Sequence, residues 1–327
     1  HVDAPLAARE QLARVHGTDY VAQVEAASPR SGLHHLDPDT AMCPDTLNAA
    51  LRAAGAGIEA TDRVIGGKAA AAFCSVRPPG HHAEHNFAMG FCYLNQVAIT
   101  TLEALATGAK RVAVYDFDVH HGNGTEAILL GKPGAFFHSI HQHPCYPGTG
   151  TQNVGDNCFN YPVAPRTARE DYRKVFTRAF DALKAQKPDV VVVSAGFDAY
   201  ARDPLAQETL EAEDFHWLGQ SFRALSVPVV SVLARPLPQT PGIGPFAIGS
   251  CGRMEPSVTS KNPVWPSQVR MTAHTLSPAS STLRRRWRRR NELMLCWPSR
   301  TYAMISSAHF WTPATSGLPS STLRVES

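Results

Sequence analysis

Several things are scarce in this sequence, and each scarcity excludes something. The seven cysteines of the 327-residue chain are scattered, with no paired spacing and no CxxC. That leaves no disulfide framework and no thiolate zinc cluster to read, and it predicts reduced, small, buried cysteines in a cytoplasmic protein. No apolar run approaches the ~18–20 residues that span a bilayer, so no membrane partner is expected. No signal peptide is visible behind His1. Aspartate is absent after Asp214. Residues 1–234 carry 19 Lys/Arg against 25 Asp/Glu, whereas residues 235–327 carry 12 against 3, all three Glu. The net charge of +3 therefore hides two unlike segments.

Within the first segment, apolar periodicity alternates between helix and buried strand. Residues 1–30 read as helical pieces, with REQLARVHGTDYVAQV as the most amphipathic, and residues 46–72 read as one Ala-rich helix. After the Pro78-Pro79-Gly80 break, residues 94–107 read as a helix ended by Gly108. KRVAVYDF is apolar without alternation, which suits a strand buried on both faces. Helical TEAILLG, strand-like GAFFHSIH, an amphipathic helix over 168–186, strand-like PDVVVVSA, a helix over 205–225 and strand-like VPVVSVL follow. This order predicts an α/β fold, an open and mostly parallel sheet with helices on both faces.

Two of the strands run into chemistry. The first ends YDFDVHHGNG and the second SAGFDA. Sites in open parallel sheets lie beyond the carboxyl ends of strands, so Asp118, His120 and Asp198 converge if those strands are neighbours. Two carboxylates and one imidazole make a three-ligand set that leaves a fourth position open, the pattern of catalytic zinc. A two-metal site of the arginase, ureohydrolase type is the rival; the positions for its bridging carboxylates hold His121 and Ala199–Tyr200. His81 and His82 stand side by side in the loop after Pro-Pro-Gly. Adjacent rings are expected to diverge, which makes proton shuttling a better role for them than ligation.

RPPGHHA, GFCYLN, DFDVHHGNG, YPGTG and SAGFDA occur in the order and spacing found in histone deacetylases. Over roughly residues 5–233 the chain resembles that superfamily. The HHGNG form, with Asn, is similar to its class II and bacterial amidohydrolase branch. The resemblance implies an arginase/deacetylase-like fold and zinc-dependent hydrolysis of acetyl amides to acetate and a free amine. It places one Zn²⁺ on Asp118, His120 and Asp198. It gives acid–base duty to His81 and His82, oriented by Asp116 and Asn123. It puts the substrate against Gly90, Phe91 and Tyr146, and a structural K⁺ near Asp116, Asp118, His120, Ser139 and Ile140. Acetyl-lysine peptides or acetylpolyamines are the implied substrates, with homo-oligomers as possible partners.

The chain also departs from that pattern. The superfamily continues from its last strand into a Glu-Gly-Gly-Tyr loop, whose Tyr hydroxyl donates to the developing oxyanion. Here Ala234-Arg235-Pro236-Leu237 follows. Residues 1–233 therefore read as an N-terminally incomplete catalytic domain. Residues 234–327 read as an atypical basic Pro/Ser/Arg-rich tail, disordered or frameshifted, without a buried strand. Codons for 235–237 shifted by one base can encode Gly-Arg-Tyr. Six arginines around Trp287 (284–290) could grip nucleic-acid phosphates, but a run with no surrounding fold reads first as solvated and disordered, so no nucleic-acid partner is expected. A zinc-binding remnant of impaired activity is the alternative to a working enzyme.

Overall fold

The computed structural model describes residues 2–235 and the backbone strand at 302–306. The helices are α1 (Arg9–Leu12), α2 (Thr18–Ala26), α3 (Thr46–Ile65), α4 (Gln96–Ala106), α5 (Asn123–Leu129), α6 (Arg169–Ala185) and α7 (Ala212–Ala224). The strands are β1 (Val2–Asp3), β2 (His34–Asp37), β3 (Thr40–Met42), β4 (Ala71–Ser75), β5 (Val112–Asp116), β6 (Ala135–Gln142), β7 (Cys158–Val163), β8 (Val190–Gly196), β9 (Val229–Arg235) and β10 (Tyr302–Ser306). One sheet has the order β1-β10-β4-β9-β8-β5-β6-β7, while β2 and β3 form a separate hairpin. The six strands from β4 to β7 are mutually parallel; β10 and β1 add antiparallel edges.

The uninterrupted apolar strands are explained by two cores. On β5, Val112 and Val114 face one core, and Ala113 and Tyr115 face the other. On β8, Val190 and Val192 alternate in the same way with Val191 and Val193. A strand covered on both faces has no polar phase, hence the Val run. The first core is closed by α3 and α4, the second by α6 and α7. The result is an α/β sandwich around an open, mostly parallel sheet.

Several elements differ from the sequence reading. The helix expected over 46–72 stops at Ile65 before Gly66-Gly67, and β4 begins inside the expected span. Ala71 and Ala72 have little strand preference of their own; pairing with Val229 and Val230 of β9 decides their state. The amphipathic stretch near the start is two helices split at Gly17. The helix expected over 205–225 begins only at Ala212. The segment before it is extended, with Leu210 bridged to Tyr200. β7 and the β2–β3 hairpin were not expected at all. The segment after Leu233 also supplies a strand, β10, between β1 and β4. The disordered or frameshifted reading of the rest of 236–327, including the arginine run at 284–290, lies outside the described residues.

Candidate metal centre and relay

β5 and β8 are neighbours, with Asp116 opposite Ser194. Their continuations leave the sheet together, and Asp118 and Asp198 follow their ends. Val119 N–H donates to Asp198 Oδ1 at 2.9 Å, tying the two loops. His120 Nδ1 lies 3.0 Å from Asp118 Oδ1 and 2.9 Å from Asp198 Oδ2. One ligand atom from each of the three residues falls within 4.8 Å of the others. A Cβ on Gly196 would lie 2.2 Å from Asp118 Oδ2, so a glycine is required for that carboxylate to sit here.

All three side chains are buried, and Asp116 is buried behind them. Among the described residues no Lys or Arg pairs with Asp116 or Asp118; their charged partners are His81 and His120. Asp118 Oδ2 is buried without a hydrogen-bond partner. Uncompensated buried carboxylates are costly unless they hold a cation. The donor set, its orphan oxygen and its charge therefore fit a metal ion. Among the described residues this is the one group of three potential ligands that converges. His121, at the position a second metal would use, instead pairs Nδ1 with Thr149 Oγ1 at 2.7 Å.

The two adjacent histidines do not diverge. Their ring centroids are 4.0 Å apart with planes at 44°. Separate anchors hold them together: His81 Nδ1 is 3.0 Å from Asp116 Oδ2, and His82 Nδ1 is 2.8 Å from Asn123 Oδ1. Glu84 fixes that amide, accepting from Asn123 Nδ2 at 2.9 Å. With both Nδ1 atoms engaged, the Nε2 atoms are left for the site; His81 Nε2 lies 3.9 Å from Asp118 Oδ1.

The pair is electrostatically split. Burial lowers the His81 pKa, but the Asp116 and Asp118 carboxylates outweigh it and hold the ring above its ordinary range. Burial, and then the His81 ring, push His82 well below that range. Burial also opposes charge on His120, yet Asp198 and Asp118 raise it well above the usual value. The Asp118 carboxyl is held low by His81 and His120 against its own desolvation.

Two of the three expected channel residues, Gly90 and Tyr146, pack against His82. Gly90 packs so closely that a Cβ there would stand 2.4 Å from the His82 ring. Tyr146 meets His82 edge-on, with centroids 5.2 Å apart at 90°, and lies 6.3 Å from the His120 ring. Ser139 lies opposite Asp116 in the β5–β6 register, beside Ile140, and both are buried. Glu84, Thr149, Cys145, which hydrogen-bonds His120, and the Asp39–Thr40 turn were not singled out in the sequence. Each acts across a loop closure, which no local spacing announces. The loop after Arg235, where the missing Tyr would stand, lies outside the described residues.

The fold is thus a parallel α/β sheet with a buried carboxylate–imidazole group at its strand ends that could hold a metal ion. A model of the histone deacetylase domain matches residues 1–234, so the chain belongs to the histone deacetylase family. An uncharacterized protein of Synechocystis is 42% identical over 209 residues, 62% of this chain and 68% of that one. A histone deacetylase-like amidohydrolase of Pseudomonas aeruginosa is 38% identical over 221 residues, 65% of this chain but 58% of that protein. The crystal structure of an acetylpolyamine aminohydrolase from Burkholderia pseudomallei matches with a TM-score of 0.65 and 29% identity, covering 71% of this chain and 79% of that one.

Proposed function

We propose that the chain is a zinc-dependent amidohydrolase that cleaves acetyl amides of long, thin amines, giving acetate and a free amine. Acetyl-lysine peptides and acetylated polyamines are the substrate classes. The observation that carries this reading is the convergence of Asp118, His120 and Asp198 beside a histidine pair anchored at Nδ1 by Asp116 and Asn123. Asp118, His120 and Asp198 would hold one Zn²⁺, whose Lewis acidity supplies the activation that buried side chains lack. A structural K⁺ near Asp116, Asp118, His120, Ser139 and Ile140 belongs to the same proposal.

The residues supply the proton handling. His82, kept neutral by burial, accepts a proton at Nε2 while Asn123 holds its Nδ1. His81, anchored at Nδ1 by Asp116, is the second proton carrier, and one of the pair returns a proton to the departing nitrogen. Asp116 and Asn123 fix which nitrogen of each ring faces the substrate. Phe91 and Tyr146 wall the approach, and Gly90 brings backbone beside the amide.

The test uses the full chain loaded with zinc. Metal content near one per chain, with acetate released from an acetyl-lysine peptide or an N-acetylated diamine, supports the reading. The sequence Ala234-Arg235-Pro236-Leu237, in place of the Tyr-bearing loop, favours a second reading as a slow remnant. Loss of one oxyanion donor costs about 10²–10³ in rate. Zinc bound at one per chain with no acetate release would select the remnant. Two metals per chain would overturn both.

A further inference from the structure

Phe91 has φ +64°, in the left-handed region, and Gly90 before it has φ +58°. Cys92 N–H donates to Met89 O at 2.9 Å, closing a turn over these two residues. Positive φ at both central positions is the mark of the primed hairpin turn, which Asn-Gly normally fills. A bulky aromatic in that conformation is a true outlier, and it persists only where surroundings over-determine it.

The surroundings that do so come from the β2–β3 hairpin. Gly90 N–H donates to Asp39 Oδ1 at 3.0 Å, and Phe91 N–H donates to Thr40 Oγ1 at 3.0 Å. Thr40 Oγ1 in turn donates to Asp39 Oδ1 at 2.7 Å, so one hydroxyl and one carboxylate lock both strained amides. Thr40 is fully buried. The same carboxylate meets the opposite wall: after burial, Asp39 is the foremost cause holding the Tyr146 phenol above its ordinary range. Loss of these acceptors would leave two strained amides without partners directly beneath His82.

We propose that Asp39 and Thr40 are positioning residues of the substrate channel, clasping the Gly90–Phe91 turn so that the Phe91 ring and Gly90 backbone stay aligned over His82. The channel's width is then set by a hairpin some fifty residues upstream, outside every catalytic motif. Its activity readout rests on the amidohydrolase reading above, and its binding readout does not.

The test compares full-length wild type, Thr40→Val, Thr40→Ser and Asp39→Ala, each loaded with zinc. A linear eight-carbon alkyl hydroxamate probes the channel by calorimetry, and an N-acetylated diamine probes turnover. Thr40→Val keeps the shape and removes the acceptor, so the hydroxamate Kd and the KM should both rise about tenfold, with kcat within about threefold. Thr40→Ser keeps the hydroxyl and should restore both to within about twofold. Asp39→Ala should weaken the probe by at least as much, and it carries the test should Thr40→Val not fold. Unchanged Kd and KM in Thr40→Val would overturn the clasp, and so would a lowered melting temperature with unchanged probe affinity. Wild type that fails to hydrolyse the diamine, yet binds the probe with the expected ranking of variants, would sink the amidohydrolase reading and leave the clasp standing.

Discussion

At the scale of single residues, the proposed mechanism assigns ligation and proton transfer to different side chains, and the two are independently testable. Asp198→Ala removes a buried carboxylate that faces His120, so metal content of the isolated protein should drop well below one per chain. His82→Ala leaves the three ligand side chains in place. Zinc should stay, while acetate release falls by at least about 10². Equal loss of metal in both variants would contradict the division of labour. Gly196→Ala drives a methyl into Asp118, whose Cα would stand 2.5 Å away, and should weaken zinc affinity about tenfold to hundredfold and lower the melting temperature as well. The ligand triad and the histidine pair were legible because each sits in a short motif at a strand end or a Pro-Gly break. Glu84 and Asp39 were not. Glu84 matters through a bond to Asn123, 39 positions on, and Asp39 through one to Gly90, 51 positions on.

At the scale of elements, periodicity gave the buried strands and the long helices, because burial on both faces leaves an unbroken apolar run. It missed β4 and β7, whose states are decided by partners: AAFCS is strand because β9 and β10 flank it. Helix α3 shows propensity and packing in opposition. Gly55 lies mid-helix, where Ala would gain about 1 kcal/mol of intrinsic helicity. However, a Cβ at Gly55 would stand 2.0 Å from Pro5 O and 3.1 Å from Ala7 N, both backbone atoms. Backbone cannot rotate away as a side chain can, and overpacking costs about 1–3 kcal/mol. Gly55→Ala should therefore lower the melting temperature by a few degrees. A rise would mean that the segment before α1 is held more loosely than its bond from Ala7 N to Leu51 O implies.

At the scale of the whole molecule, buried titratable groups set opposing limits on the pH range of stability. His16 and His138 are buried and held neutral, with pKa values pushed down to about 4, and His141 to about 3, in each case mainly by burial. The unfolded chain takes up these protons near pH 6.5, the folded one only well below it. Their contribution is thus complete above pH 6.5 and is lost as pH falls towards 4, at about 1.4 kcal/mol per unit for each ring. Glu208 acts the other way. It is 4% exposed, and burial raises its pKa to about 7 against the opposing effect of a backbone hydrogen bond from Thr167. A carboxyl raised above its unfolded value costs stability as pH climbs from about 4.5 to 7, and the cost stays in full above that. Wild-type melting temperature should therefore fall as pH drops below about 6.5, with Glu208 offsetting part of that loss between pH 7 and 4.5. Glu208→Gln should raise the melting temperature at pH 8, and change it least near pH 4, where the carboxyl is mostly protonated in both the folded and the unfolded chain. Equal effects at pH 8 and pH 4 would show that the substitution acts through packing and not through the Glu208 charge.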